Sequence, residues 1–327
     1  MIDPFGRAIR YVRISVTDRC NLRCTYCMPD GYLGGETPAD ILSYEEIATI
    51  AEALVGLGVR KFRLTGGEPL VRRDLPTLVS RLSAFPEVED IALSTNAVLL
   101  RAHAADLKAA GLKRVNVSLD TLDPATFKKI SVNASLDQVL DGIAAAEEAG
   151  LAPIKLNMVV MKGVNDHEIE AMARLTFMKP WTIRFIEVMP MRQNPGKQAD
   201  QYVSTDTIRG LLQSIAPWTP VDTGPLAGPA AEFRYQGAVG SVGFITPLSH
   251  TFCGACNRVR LTTAGKLRLC LFGESGCDLR GPLRAGATVP ELRGLVLDAL
   301  KLKPESHHLA LGYSGPEAPI TMSSIGG

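Results

Sequence analysis

Cys20-Asn21-Leu22-Arg23-Cys24-Thr25-Tyr26-Cys27 places three thiols within eight residues, directly after the β-rich run Tyr11 to Thr17. The thiols therefore sit on a loop that leaves the end of a strand. Isolated buried cysteines have no reason to cluster this way. Three thiolates on one loop can hold three corners of a [4Fe–4S] cube. A structural zinc site takes four protein ligands, but no fourth cysteine is near and the first histidine is His103. Zinc and free buried thiols stand as the alternatives. A cube with three ligands leaves one iron open for a small molecule.

Further β-rich runs follow at Lys61 to Thr65, Asp90 to Ser94, Arg114 to Leu119, Ile154 to Val160 and Thr182 to Val188. Helical patterns lie between them. Over residues 43–58, Ile47, Ile50, Ala51, Leu54 and Leu57 share one face, and Ser43 with Glu46 forms a capping box. Residues 135–149 repeat the arrangement, with Ser135 and Gln138 as the box, Leu136, Val139, Leu140 and Ile143 as the stripe, and Gly150 as the stop. Strands alternating with helices predict a parallel sheet. Six strands suit either a doubly wound sheet or an incomplete barrel, and periodicity alone does not choose. The alternation stops near Pro190. Prolines and glycines then crowd residues 190–230, although 205–215 can form a helix. Short strands at Ser241 to Thr246 and Arg258 to Thr262 and a helix at about 289–302 follow. This gives three regions: 1–190, a connecting segment 191–230, and 231–327.

The chain has 327 residues, 46% hydrophobic and 21% charged, enough to bury a core and too apolar for a disordered chain. Its net charge of +1, from 35 basic against 34 acidic residues, gives no general attraction for nucleic acid. No apolar run reaches the roughly 20 residues of a membrane helix. The first thirty residues lack a secretory pattern. The expectation is a cytoplasmic protein that binds neither membrane nor nucleic acid. Seven cysteines, an odd number in two groups, argue against a disulfide framework.

The second group is Cys253-Gly254-Ala255-Cys256, followed after thirteen residues by Cys270. Three thiols again suit a cube with an open iron. Zinc is an alternative because Cys277 could be a fourth ligand, and a cluster that only relays electrons is another. Arg258 and Arg260 flank Val259, so on a strand both face one side. Arg13, Arg63, Lys155 and Arg184 lie within apolar strands. A lone strand arginine is usually a structural ion pair. Several cations converging at the end of a parallel sheet would suit a triphosphate. No Walker-type phosphate loop is present.

The three-cysteine motif with Tyr26 before its last thiol, followed by Gly66-Gly67-Glu68-Pro69 after the second strand, resembles the radical S-adenosylmethionine enzymes. Further stretches narrow the resemblance. They are Arg13-Ile14-Ser15-Val16-Thr17-Asp18, Asn116-Val117-Ser118-Leu119-Asp120, Arg184-Phe185-Ile186-Glu187, Cys256-Asn257-Arg258-Val259-Arg260, Leu269-Cys270-Leu271-Phe272-Gly273-Glu274 and the terminal Gly326-Gly327. Across nearly the whole chain they resemble the GTP 3′,8-cyclases of molybdenum cofactor biosynthesis. The resemblance implies an incomplete (βα)6 TIM-type barrel with a C-terminal α+β region carrying a second cluster. It implies two [4Fe–4S] clusters, one on Cys20, Cys24 and Cys27 and one on Cys253, Cys256 and Cys270. S-adenosylmethionine would meet Tyr26, Gly67, Ser118 and Met189. GTP would meet Arg13, Arg63, Ser94, Lys155, Arg258, Val259 and Arg260, its guanine on the second cluster's open iron. Ser94 stands where the family usually has Thr, and Ala97 where it usually has Gly.

The implied reaction begins with cleavage of S-adenosylmethionine to a 5′-deoxyadenosyl radical, which takes the hydrogen from C3′ of GTP. C3′ then joins C8 of guanine. Gly326 and Gly327 would reach into the active site and, with Arg13, take part there. A barrel mouth capped by the C-terminal region would put the clusters on opposite sides of one cavity. An electron donor of unspecified identity is required. The family suggests a monomer or homodimer. A radical enzyme of peptide maturation and a non-enzymatic metal or electron-transfer protein are the competing readings.

Overall fold

A computed structural model describes residues 1–28, 36–189, 197–308 and 325. Strands β1 (Tyr11–Ser15), β2 (Lys61–Thr65), β3 (Asp90–Thr95), β4 (Arg114–Ser118), β5 (Lys155–Val160) and β6 (Thr182–Glu187) pair in parallel and in chain order. Helices α1 (Tyr44–Gly56), α2 (Leu75–Ser83), α3 (Ala104–Ala109), α4 (Pro124–Ser131), α5 (Leu136–Glu148) and α6 (Ile169–Met178) lie in the connections. α1 starts at the expected box, with Ser43 N–H donating to Glu46 Oε2 at 2.7 Å and Glu46 N–H to Ser43 Oγ at 3.1 Å. α5 starts with Ser135 N–H on Gln138 Oε1 at 3.0 Å and gives way to Gly150 at φ +69°. It buries Leu136, Val139, Ile143 and Ala146. Leu140, expected on that stripe, is 40% exposed, because the buried face is centred between Val139 and Ala146 and Leu140 falls on its flank.

The sequence reading put six strands in the barrel and the later pieces in a separate region. The sheet continues instead. β7 (Trp218–Pro220), β8 (Ala231–Tyr235), β9 (Ser241–Ile245), β10 (Arg258–Leu261), β11 (Lys266–Arg268) and β12 (Gly276–Asp278) complete one twelve-stranded order, β12-β11-β10-β1-β2-β3-β4-β5-β6-β9-β8-β7. β10 joins β1 in parallel and β9 joins β6 in parallel. Among the described residues, the six strands of the incomplete barrel are thus flanked by one parallel C-terminal strand at each edge. Both edges of a six-stranded sheet offer unpaired N–H and C=O groups, and the C-terminal strands cover them. Within 191–230 the structure has helices α7 (Lys197–Asp200) and α8 (Thr205–Gln213) besides β7, and after β12 come α9 (Arg280–Arg284) and α10 (Val289–Leu300).

The strands alternate with the apolar side outward. Val12, Ile14, Phe62, Leu64, Ile91, Leu93, Val115, Val117, Leu156, Met158, Ile183 and Phe185 join one core with the surrounding helices. The alternate residues, among them Arg13, Arg63, Lys155, Asn157 and Arg184, face the other way, into the lumen. That is why charged residues sit in apolar strands here. Among the described residues no helix is long and apolar enough to cross a membrane.

Candidate active site

The first thiol group hangs from the C-terminal end of β1. The turn after β2 holds its approach. Gly67 N–H donates to Thr17 O at 2.9 Å and Glu68 N–H to Arg19 O at 2.8 Å. A Cβ on Gly66 would lie 2.2 Å from Thr17 O, and one on Gly67 would lie 2.3 Å from Arg19 O. Both glycines are therefore needed where the turn packs on the chain leading to Cys20. Glu68, 1% exposed, accepts from Leu70 N at 3.0 Å, Thr95 Oγ1 at 2.8 Å and Asn96 N at 2.6 Å. Burial lifts its pKa to about 7. Asn96 in turn donates to Asn21 Oδ1 at 2.8 Å inside the cysteine loop. Tyr26 donates its hydroxyl to Asp120 Oδ2 at 2.9 Å, and Val159 N–H meets the other oxygen at 2.9 Å. Burial, followed by nearby negative charge, raises all three thiols. Cys20 goes up to about 11 and Cys27 to about 12, and Cys24 is also raised.

The second group arrives from the opposite end. Cys256 precedes β10, which runs parallel to β1, and Cys270 follows β11, which runs antiparallel to β10. Both thus lie at the N-terminal end of β1, whereas Cys20 follows its C-terminal end. The barrel mouth is not where the C-terminal thiols enter, which corrects the expected cap. Burial would raise the Cys256 thiol, but the charges of Arg258 and Lys303 outweigh it and hold the pKa below the ordinary value. Cys277 sits on β12 opposite Leu267, packed against the main core. It does not line the cavity with the other three, so its placement gives no support to a fourth ligand.

One cavity of about 300 Å³ runs between the groups and is lined by all six thiols. Arg13, Tyr26, Arg63, Gly67, Ser94, Ser118, Met189, Arg258, Val259 and Arg260 line it too. The strand register sets Arg260 beside Arg13 and Arg13 beside Arg63, a row of three guanidiniums across β10, β1 and β2. Like charges on neighbouring strands repel. Burial brings Arg63 and Arg260 down to about 10, and Arg13 down as well. Arg13 Nε, Arg184 Nε and Asn157 Oδ1 are buried without a partner, and all three residues line the cavity. The two guanidinium donors of this set suit an anion, and the Asn157 oxygen suits a donor such as a hydroxyl or amino group.

Lys155 departs from the expected ligand set. It is not among the cavity's lining residues. Its Nζ is paired with Glu232 Oε1 at 2.8 Å, and Arg184 Nη2 meets the same oxygen at 2.6 Å. Antiparallel pairing of β8 with β9 brings Glu232 there, which no sequence spacing announces. Burial and the neighbouring Arg184 lower Lys155 to about 7. Gly326 and Gly327 lie outside the described residues, but Ile325 is buried and its carbonyl accepts from Arg260 Nη1 at 3.4 Å.

The sequence reading left Asn157, Glu68, Asp120 and Glu187 out of the site. Asn157 was findable, being on the same alternation as Lys155. Glu187 ends β6 fully buried. It accepts from Tyr202 Oη at 3.2 Å, Thr205 N at 3.0 Å, Thr205 Oγ1 at 2.9 Å, Leu248 N at 3.0 Å and Ser249 N at 3.1 Å. It thereby ties the segment leading to Cys253 onto the barrel.

Among the described residues no three His, Cys, Asp or Glu side chains converge closely enough to hold a single metal ion. The thiols are free and spread along the cavity walls. An open parallel barrel with three thiols on the loop after β1 and a double-glycine turn after β2 defines a radical S-adenosylmethionine enzyme. Residues 14–176 match the Radical SAM superfamily and residues 181–309 match Molybdenum Cofactor Synthesis C. Crystallised Streptococcus suis SuiB bound to S-adenosylmethionine shares the fold, with a TM-score of 0.61 and 13% identity over 88% of this chain and 68% of that one. The GTP 3′,8-cyclase of Moorella thermoacetica is 49% identical over 327 residues, covering 100% of both chains. That of Pelotomaculum thermopropionicum is 45% identical, again over 100% of both. The chain belongs to the GTP 3′,8-cyclase family of radical SAM enzymes. Membership implies one [4Fe–4S] cluster and S-adenosylmethionine.

Proposed function

We propose that this chain converts GTP to 3′,8-cyclo-7,8-dihydro-GTP, an early step of molybdenum cofactor biosynthesis. The observation that carries the reading is one cavity lined by both thiol groups and by the Arg260–Arg13–Arg63 row. Cys20, Cys24 and Cys27 would hold the first cluster, and Cys253, Cys256 and Cys270 a second. When bound, the first cluster and S-adenosylmethionine supply the one-electron chemistry, and every other task falls to the chain.

Tyr26, held by Asp120, would present a fixed aromatic face to the adenine, with Gly67, Ser118 and Met189 beside it. Arg13, Arg63, Arg258 and Arg260 would take the triphosphate through charge-assisted hydrogen bonds. Ser94 offers a hydroxyl and Val259 an apolar wall. Fixing both ends of GTP between the thiol groups brings C3′ and guanine C8 within reach of one another. Arg260, already bonded to the Ile325 carbonyl, would let the terminal Gly326 and Gly327 approach the same cations. Lys155 would join the triphosphate only by leaving Glu232. The enzyme would act in the cytoplasm, as monomer or homodimer, with a separate electron donor.

The test is anaerobic incubation of the iron-loaded protein with GTP, S-adenosylmethionine and a strong reductant. The expected products are 5′-deoxyadenosine and a cyclised nucleotide in equal amounts. Release of 5′-deoxyadenosine with GTP unchanged would overturn the assignment of substrate.

A further inference from the structure

Two buried cations outside the cavity converge on the second thiol group from opposite ends of the chain. Arg7 lies in the N-terminal segment and is 8% exposed. Asp3 fixes it, with Oδ2 accepting from Arg7 Nε at 2.6 Å and Oδ1 from Arg7 N at 2.9 Å. The rest of the fork is thereby aimed at three carbonyls. Nη1 donates to Cys253 O at 2.8 Å and Glu305 O at 2.6 Å, and Nη2 to Pro304 O at 2.6 Å. Next in the chain, Lys303 is 4% exposed. Its Nζ donates to Arg258 O at 3.2 Å and also to Leu269 O. Arg258 is two residues past Cys256, and Leu269 immediately precedes Cys270.

We infer that Arg7 and Lys303 form a buried cationic clamp that positions the three thiols of the second group and stabilises the negative charge of the iron–sulfur cluster they would hold. The inference rests on the proposed second cluster at Cys253, Cys256 and Cys270. Each thiol-bearing segment is gripped through a backbone carbonyl within two residues of its cysteine, so the clamp ties all three segments together. The two cations and Asp3 place an excess of basic groups, buried, next to the three cysteines. A buried lysine without an anion is costly. Two carbonyls account for its hydrogen bonds, and Asp3, already bound to Arg7, offsets only one of the two cations. Among the described residues, the charged groups besides the thiols that act on the first group are Glu68 and Asp120, both acidic.

Lys303→Met keeps side-chain length and removes charge and donors. Partners of this kind, beyond the ligands themselves, are worth about 10–100-fold in metal affinity. The variant, reconstituted anaerobically, should therefore lose the second cluster to a chelator about 10–100-fold more readily while keeping the first. Where the second cluster is retained, its midpoint should move negative in an EPR-monitored titration, with that of the first unmoved. Lys303→Arg, which retains charge and donors, should recover both properties. Equal chelator resistance and an unshifted midpoint in Lys303→Met would overturn the clamp and leave the second cluster standing. A wild-type chain that holds about four irons rather than about eight would remove the second cluster, and the clamp with it. If Lys303→Met fails to fold, Arg7→Lys decides, because a single ammonium cannot span Cys253, Pro304 and Glu305. Selective loss of the second cluster supports the clamp, and equal retention of both clusters overturns it.

Discussion

The two thiol groups share a cavity but not an environment. The first hangs from the barrel mouth among buried carboxylates, and burial raises every one of its thiols. The second lies at the other end among Arg7, Arg258 and Lys303, where burial still raises Cys253 but Cys256 is held below its ordinary pKa. Negative surroundings disfavour adding an electron to a cluster, and positive surroundings favour it. A group built to push one electron into a bound cofactor belongs at the first site. A second cluster and an anionic substrate, as proposed, would suit the cationic surroundings of the other group. Each lead-in is also anchored by a buried glutamate at a strand end, Glu68 after β2 and Glu187 on β6, and these two are tuned in opposite directions.

The sharpest division between the groups comes from removing one thiol of each. Cys24→Ser should abolish 5′-deoxyadenosine and cyclised nucleotide together, as read by chromatography of an anaerobic reaction. Undiminished 5′-deoxyadenosine would erase the role given to the first group. Cys256→Ala should keep about four irons per chain and the cleavage of S-adenosylmethionine, and lose cyclisation. Full-rate cyclisation would make the second group a bystander.

Next in size is the cation row. Arg258→Ala with Arg260→Ala removes donors worth about 1.5–3 kcal/mol each. GTP binding by calorimetry should weaken at least about tenfold. S-adenosylmethionine, assigned to the other end, should bind as before, and equal weakening of both ligands would break the separation.

The glutamate anchors predict opposite pH responses. Burial alone would raise Glu187, but hydrogen bonds from Ser249 and Thr205 outweigh it and depress its pKa. Its contribution is therefore complete above the unfolded value and is lost as pH falls through the depressed folded value. Glu68 is raised from 4.5 to about 7, so its ionisation erodes stability as pH rises across that window. Glu187→Gln should cost about 2 kcal/mol at neutral pH by leaving buried donors unmatched. Glu68→Gln should flatten the decline between pH 4.5 and 7. Urea titrations at several pH values read both, and parallel profiles would show that the anchors do not differ.

The smallest effect concerns Ala97, which holds φ +64°. A left-handed alanine costs about 1–2 kcal/mol. Its fully buried methyl returns about 0.8 kcal/mol, and the freer unfolded chain of a glycine takes back about 0.4–1 kcal/mol. Ala97→Gly should therefore change stability by less than about 1 kcal/mol in either direction. A larger loss would mean that the methyl packs against α5 at Gly142 more tightly than burial alone implies.

The amino-acid sequence by itself determined the six central strands, the capped helices α1 and α5, both thiol groups, and the cations on the lumen side of the strands. These rest on local chemistry: alternation, capping spacing and ligand spacing act between near neighbours in the chain. Only the tertiary structure decided that β9 and β10 extend the barrel, because a four- or five-residue strand carries no signal for which edge it joins. The same pairing set Arg260 beside Arg13, put Cys256 at the end opposite Cys20, and brought Glu232 onto Lys155. It also joined Arg7 to Cys253 across 246 positions of chain. Contacts between distant segments depend on register and closure of the whole sheet, and no local pattern encodes them.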